Sequence, residues 1–364
     1  VPVGKFHLVQ KYVNADGNPP KLSKLGEKSW KKTRAKVARS VENIAGELAE
    51  IYAERKTRKG FAFNADDAEM QKFELRFPFE ETPDQLEVIS SVKADMESEM
   101  PMDRLVCGDV GFGKTEIAMR GAFKAAQQEK QVAILVPTTI LAQQHYETFS
   151  QRFEDTPFII EVISRFRTDT EQKDILKRLH EGKIDIIIGT HRLLSTDIKF
   201  HDLGLLVVDE EQRFGVKHKE KIKRFRAAVD VLTLSATPIP RTLHMSLMGL
   251  RDLSLVNTPP ADRRAVRTRL LPVNDYIIQE AVSREIRRGG QVFVVHNRVE
   301  TIYEYGNYLE SILPNIRIAI GHGQMKEQQL EKVMLDFIEG RVDVLLSTTI
   351  IESGLDIPKA NTII

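Results

Sequence analysis

Short apolar runs alternate along most of the chain with longer stretches in which apolar residues return every three or four positions. The runs at 104–107, 131–136, 158–163, 185–188, 205–208 and 231–235 are rich in Val, Ile and Leu. They have the length of strands and fall short of helices. The stretches between them predict amphipathic helices. Such alternation predicts a parallel sheet covered by helices on both faces. It restarts with runs at 291–295, 317–320 and 344–347. Thr258-Pro259-Pro260-Ala261-Asp262 reads as a hinge between the two sheets. Further upstream, residues 3–13 alternate loosely, like one or two short strands, and 14–20 form a turn cluster. Ser29 would cap a helix running to about Lys59 and ending near Gly60. Val37, Val41, Ile44, Leu48 and Ile51 make its one apolar stripe. Its other face is basic at Lys31, Lys32, Arg34, Lys36 and Arg39. That face reads equally as solvated surface or as a phosphate-facing or partner-binding strut.

Composition narrows the class. Of the 364 residues 41% are hydrophobic, enough for packed cores, which excludes disorder throughout. No apolar run approaches 18 residues, which excludes a transmembrane helix. The net charge is only +1, from 53 basic and 52 acidic side chains, yet it hides a basic first 60 residues and an acidic 64–100. A single cysteine, Cys107, excludes an internal disulfide framework and a Cys-rich zinc site, and points to a reducing cytoplasm. Cys107 itself reads as a small core residue. His145, His180, His201, His218, His244, His296 and His322 show no metal-ligand spacing. The start at Val1 lacks an initiator Met and a signal pattern, and reads as an interior cut from a longer protein.

The chemistry concentrates after the first strand. Gly108-Asp109-Val110-Gly111-Phe112-Gly113-Lys114-Thr115 fits G-x-x-x-x-G-K-[ST] between a predicted strand and helix. Glycines let such a loop wrap with its N–H groups toward phosphate oxygens, and the helix start adds its positive end. Lys114 would reach the outer phosphates and Thr115 would ligate Mg²⁺. About a hundred residues on, an apolar run delivers Asp209-Glu210-Glu211-Gln212. Asp209 would hold Mg²⁺ directly or through water, and Glu210 would orient and deprotonate the attacking water.

In this context the chain resembles superfamily 2 helicase-type motors. Phe77-Pro78-Phe79-Glu80-Glu81-Thr82-Pro83-Asp84-Gln85 resembles the adenine-reading motif. Val136-Pro137-Thr138-Thr139-Ile140-Leu141-Ala142-Gln143-Gln144 resembles motif Ia, and Gly189-Thr190-His191-Arg192-Leu193-Leu194 motif Ib. Leu234-Ser235-Ala236-Thr237-Pro238 resembles motif III, and Thr348 to Pro358 motif V. Within the superfamily, Met102 to Glu116, Ile163-Ser164-Arg165-Phe166-Arg167 and Arg213 to Glu220 are most similar to the bacterial transcription-repair coupling factors; the branched-DNA translocase RecG shares much of this motor. The resemblance implies two RecA-like lobes, with the polymerase-interacting module ending at 1–20, a connecting helix at 21–62, an ATP-binding lobe at 63–258 and an incomplete second lobe at 259–364. It implies Gln85 on the adenine edge, Phe77 near the ring, Gly354 and Asp356 with the nucleotide, and Ser235, Ala236 and Thr237 as coupling residues. It also implies a double-stranded DNA translocase of the bacterial cytoplasm and nucleoid that displaces stalled RNA polymerase and recruits excision-repair proteins.

A motor that tracks a duplex must grip phosphate without reading bases. Thr138, Arg165, Arg167, Thr190, His191, Arg192 and Arg213 on the first lobe fit that need, with Asn297, Arg298, Thr348 and Thr349 on the second. Any single arginine here fits a surface ion pair as well. The loop at Gly321-His322-Gly323 fits either a place near DNA or a plain turn. Two departures stand out. Gln212 occupies a position where the family commonly has histidine, so it is expected to couple rather than titrate. Motif VI, with its arginine finger, is expected after Ile364; such a finger is worth about 10³–10⁵ in rate. RecG-like remodelling of branched DNA, or nucleotide and DNA binding with little hydrolysis, therefore stand as alternatives.

Overall fold

Runs of Val, Ile and Leu become strands here because both faces of the sheet are covered. The computed structural model describes residues 53, 57–226, 228–237, 252–261, 263, 266–348 and 355–364. The chain divides into two compact units, Val1–Tyr52 and Ala53–Ile364, and the described residues belong to the second. The early strands, nearly all of the connecting helix, Thr349 and Gly354 lie outside the described residues.

The first sheet contains β1 (Asp103–Gly108), β2 (Gln131–Leu135), β3 (Ile160–Ile163), β4 (Ile186–Gly189), β5 (Leu203–Asp209), β6 (Asp230–Ser235) and β7 (Asp252–Val256). Its order is β3-β4-β2-β5-β6-β1-β7, and every pair is parallel. Successive side chains point to opposite faces. Val132 and Ile134 enter one core while Ala133 and Leu135 enter the other, and Leu205 and Val207 split likewise from Leu206 and Val208. Helices α1 (Ala68–Leu75), α2 (Pro83–Met96), α3 (Lys114–Ala126) and α4 (Thr139–Arg152) supply the first core; α5 (Asp169–His180) and α6 (Val216–Arg226) supply the second. The charges on the buried face of α3 are matched rather than isolated. Arg120 meets Glu116, Glu74 and Glu81, and Lys124 meets Asp66 and Glu97.

The second sheet contains β8 (Gln291–Val295), β9 (Ile318–Gly321), β10 (Val344–Ser347) and β11 (Ala360–Ile363), in the parallel order β11-β8-β10-β9. Helices α7 (Asp275–Arg287) and α8 (Ile302–Ile312) cover one face and α9 (Glu327–Ile338) the other. Ile140, from α4 of the first lobe, packs into the second lobe's core with Phe293, Met334 and Phe337.

Among the described residues, the sequence reading located nine strands to within a residue or two and missed two. The run at 158–163 begins two residues late, at Ile160. Strands β7 and β11 escaped it because each lies at a sheet edge and interleaves polar with apolar residues. The register matters for chemistry. Cys107 stands opposite Ser235 and Asp209 opposite Leu234, so β1, β5 and β6 end together on one edge. In open parallel sheets this is the edge that binds ligands.

Candidate active site

The loop between β1 and α3 is held by its glycines. Gly111 and Gly113 have φ of 78° and 76°, a region glycine enters without penalty. A Cβ on Gly113 would also come within 2.4 Å of the Gln85 amide nitrogen. Gly113 precedes the first turn of α3 without any side-chain cap, so no side chain occupies the amide donors at that helix start. Lys114, at the helix start, donates to the carbonyls of Gly108 at 2.7 Å and Asp109 at 2.9 Å. Burial pulls its ammonium below the usual lysine range, opposed by the nearby charges of Asp209, Glu210 and Asp109. Thr115 follows, half-buried.

The two acids of the β5 end sit in different settings. Glu210 has φ 49° and ψ 53°, left-handed for a non-glycine residue, and is 3% exposed. Strain of this kind persists only where surroundings enforce it. Its backbone N–H donates to Leu234 O at 2.9 Å. Its carboxylate accepts from the Ala236 N–H and from the Gln212 amide. Ser235 and Thr237 hydroxyls meet at 2.9 Å beside it. Asp209 instead meets the ring of His145, Nε2 to Oδ2, at 3.3 Å.

Gln85 is the third residue of a capping box at the start of α2. Its Oε1 accepts from Thr82 N–H at 2.8 Å, and its Nε2 donates to Phe112 O at 2.9 Å. It therefore ties the helix start to the phosphate loop. Phe77 packs edge-on against Phe79 with the guanidinium groups of Arg120 and Arg152 at 5.5 and 6.0 Å from its ring. A contact absent from the sequence reading is Arg263, just past the hinge. Its Nη2 is 3.0 Å from Asp109 Oδ2 and its guanidinium lies 4.7 Å from the Phe112 ring centre. That hydrogen bond, more than any other interaction, holds the Asp109 carboxyl below the usual range.

A second cluster surrounds a cavity of about 350 Å³ where the first sheet's loops meet α9. Thr138, Arg165, Thr190, His191 and Arg192 line it, facing Glu327, Glu331 and Met334. Arg165 donates to Thr139 Oγ1 at 3.2 Å and to Glu331 Oε1 at 2.6 Å, and it also meets Glu327. The Glu327 contact raises the Arg165 pKa most and lowers that of Glu327 in return. Nearby, the Gln144 amide donates to the backbone carbonyl of Asp356 at 2.7 Å, a further link between the lobes.

Residues 82–246 match the DEAD/DEAH box helicase domain, and 273–364 match the helicase conserved C-terminal domain. The transcription-repair-coupling factors of Staphylococcus haemolyticus and Bacillus subtilis are 57% and 56% identical to the chain over all 364 residues. The chain thus carries both helicase domains and is similar along its whole length to transcription-repair-coupling factors. It spans 31% of the length of these relatives. The structure of RecG bound to a three-way DNA junction is 34% identical with a TM-score of 0.74, over 89% of this chain and 44% of that one. The Mycobacterium smegmatis helicase Lhr, bound to single-stranded DNA and AMP-PNP, has a TM-score of 0.59 over 82% of this chain and 43% of that one. At 18% identity, Lhr speaks to fold alone. The two parallel sheets are accordingly RecA-like lobes.

Most of the expected nucleotide residues share the β1–β5–β6 edge. Asp356 meets Gln144 through its backbone, and its side chain is exposed. Among the expected DNA residues, Arg167 stands 3.6 Å from Glu171 and Arg192 makes two bonds to Asp197, of 2.7 and 2.6 Å. Arg213 closes a short 3₁₀ turn; Asn297 and Arg298 are exposed beyond β8; Thr348 is 7% exposed beyond β10. Sequence reasoning gave no role to His145, Arg263, Glu327 or Glu331, and quoted Gln144 only as the end of the motif Ia segment. The Arg263-Arg264 pair after the hinge was the one available signal; the others sit unmarked on helix faces.

Proposed function

We propose that this chain is the motor segment of a transcription-coupled repair factor, an ATP-driven translocase on double-stranded DNA whose parent protein displaces stalled RNA polymerase. Excision-repair proteins would be partners of that parent, in the bacterial cytoplasm and on the nucleoid. The observation that supports this best is the meeting of Lys114, Asp209, Glu210 and Ala236 at one sheet edge. The residues fit an ATP–Mg²⁺ ligand: an open glycine loop, a helix start without a side-chain cap, a cation and a carboxylate pair. Lys114 and the first N–H groups of α3 would hold phosphate oxygens. Thr115 and Asp209 would hold Mg²⁺, which supplies charge neutralisation when bound. Glu210 takes the proton of the attacking water. Ala236 and Gln212 fix the Glu210 carboxylate, and this links its position to the end of β6.

Thr138, Arg165, Thr190, His191 and Arg192 would meet the DNA backbone around the interlobe cavity. The grip would be sequence-blind and would weaken steeply with salt. A second reading, remodelling of branched DNA, is favoured by the 34% identity to RecG bound to a three-way junction. ATP turnover by the chain, with and without duplex or branched DNA and with Lys114→Ala as blank, tests both. Stimulation by duplex supports translocation, and stimulation only by branched DNA supports the second reading. Nucleotide binding without turnover under any of these conditions would favour the alternative of nucleotide and DNA binding with little hydrolysis by the chain itself.

A further inference from the structure

His145 has no part in the reading above, yet among the described residues its ring makes a side-chain hydrogen bond to Asp209. It lies in the second turn of α4, 9% exposed, with its Nε2 3.3 Å from Asp209 Oδ2. A carboxylate only accepts, so the shared hydrogen is on Nε2 and the ring donates. The ring leans on Phe149, centroids 6.2 Å apart. Among the described residues its buried Nδ1 has no hydrogen-bond partner. Burying a polar ring with one nitrogen unmatched is unfavourable for stability alone. An apolar side chain of similar size would pack the same place without that cost. The neighbouring residue, Gln144, holds the second lobe at Asp356, and Ile140 one turn back packs in the second lobe's core. Helix α4 thus touches Asp209 and the second lobe through consecutive residues.

We propose that His145 is a positioning residue for Asp209: by donating to Oδ2 it fixes the carboxylate's rotation and leaves Oδ1 free to face Mg²⁺. The proposal rests on the reading of Asp209 as a holder of Mg²⁺. Hydrogen-bond partners of metal-holding groups typically set metal affinity by about 10–100-fold. His145 touches neither nucleotide nor metal in this account. Its effect is confined to the Mg²⁺-dependent part of nucleotide binding.

The test is equilibrium binding of a fluorescent ATP analogue, titrated with Mg²⁺ and repeated in EDTA. It compares the unchanged chain with His145→Leu, His145→Asn, His145→Gln and Asp209→Asn. Leucine removes the donor. Asparagine stays polar but withdraws its amide from Asp209. Glutamine can return a donor to the Nε2 position. The Mg²⁺ midpoint should rise about 10-fold or more for His145→Leu and His145→Asn. It should return to near normal for His145→Gln, with affinity in EDTA unchanged throughout. Should His145→Leu fail to fold, as judged by its melting curve, the Asn and Gln pair carries the comparison. A midpoint unmoved in the His145 variants but raised in Asp209→Asn overturns the role of His145 and leaves that of Asp209 intact. A midpoint unmoved in Asp209→Asn overturns the metal reading itself, and this proposal with it.

Discussion

The phosphate loop and the interlobe cavity are both charged and both lie at loop ends of the first sheet, but they are built by different means. The loop is fixed by backbone: two glycines at positive φ, a helix start, and Glu210 held left-handed by Leu234, Ala236 and Gln212. The cavity is fixed by long side chains from two lobes, with Arg165 reaching Glu327 and Glu331 across it. A backbone-built site presents the same donors whatever the lobes do, which suits binding and chemistry. The Arg165–Glu327 part of this closure is exposed and therefore cheap to open, since such pairs contribute at most about 1 kcal/mol. The two carboxylates of α9 hold the guanidinium that a DNA phosphate would take. With Arg165 in its proposed role, phosphate and second lobe would compete for that one arginine.

Breaking the backbone-built half should have the largest effect. Glu210→Gln keeps the shape and removes the proton acceptor, so nucleotide affinity should persist while any DNA-stimulated turnover falls by about 10²–10⁴. Steady-state hydrolysis beside equilibrium binding measures this; normal turnover would remove Glu210 from the chemistry. The cavity should respond more mildly. Replacing Glu327 and Glu331 together by Gln should raise duplex affinity roughly threefold to tenfold at low salt, a gain that shrinks as salt rises. Fluorescence anisotropy at several salt concentrations reads it, and unchanged affinity would deny the competition. The smallest effect is in pH. Arg165 lowers the Glu327 pKa below its ordinary 4.5, so the pair's contribution is complete at neutral pH and is lost as pH falls through that lowered value. The melting difference between the unchanged chain and Glu327→Gln should therefore vanish on acidification and stay constant from neutral pH upward.

What could be read from sequence divides along the same line. Gly108 to Thr115 and Asp209-Glu210 were legible because a phosphate loop needs fixed residue types at fixed spacing. Strands β2, β4 and β5 were legible because burial on both faces demands unbroken apolar runs. Edge strands β7 and β11 face water on one side, so their patterns blur. His145, Glu327 and Glu331 act through tertiary packing, and nothing local sets them apart from ordinary helix residues. Arg165 was read as a phosphate contact from its motif, while its two carboxylate partners are more than 160 residues away in sequence. Gln85 was expected at the base edge, and its amide also ties the α2 cap to Phe112 O, a bond no sequence pattern announces.

The most direct test of the central claim is equilibrium binding of ATP with Mg²⁺ to the unchanged chain and to Lys114→Ala. Removing the ammonium should weaken binding about 10- to 100-fold, as for the loss of hydrogen bonds to a charged group, with the fold intact by melting. Equal affinity in the two proteins would contradict the assignment of the β1–α3 loop as the nucleotide site, and the account built on it would fall.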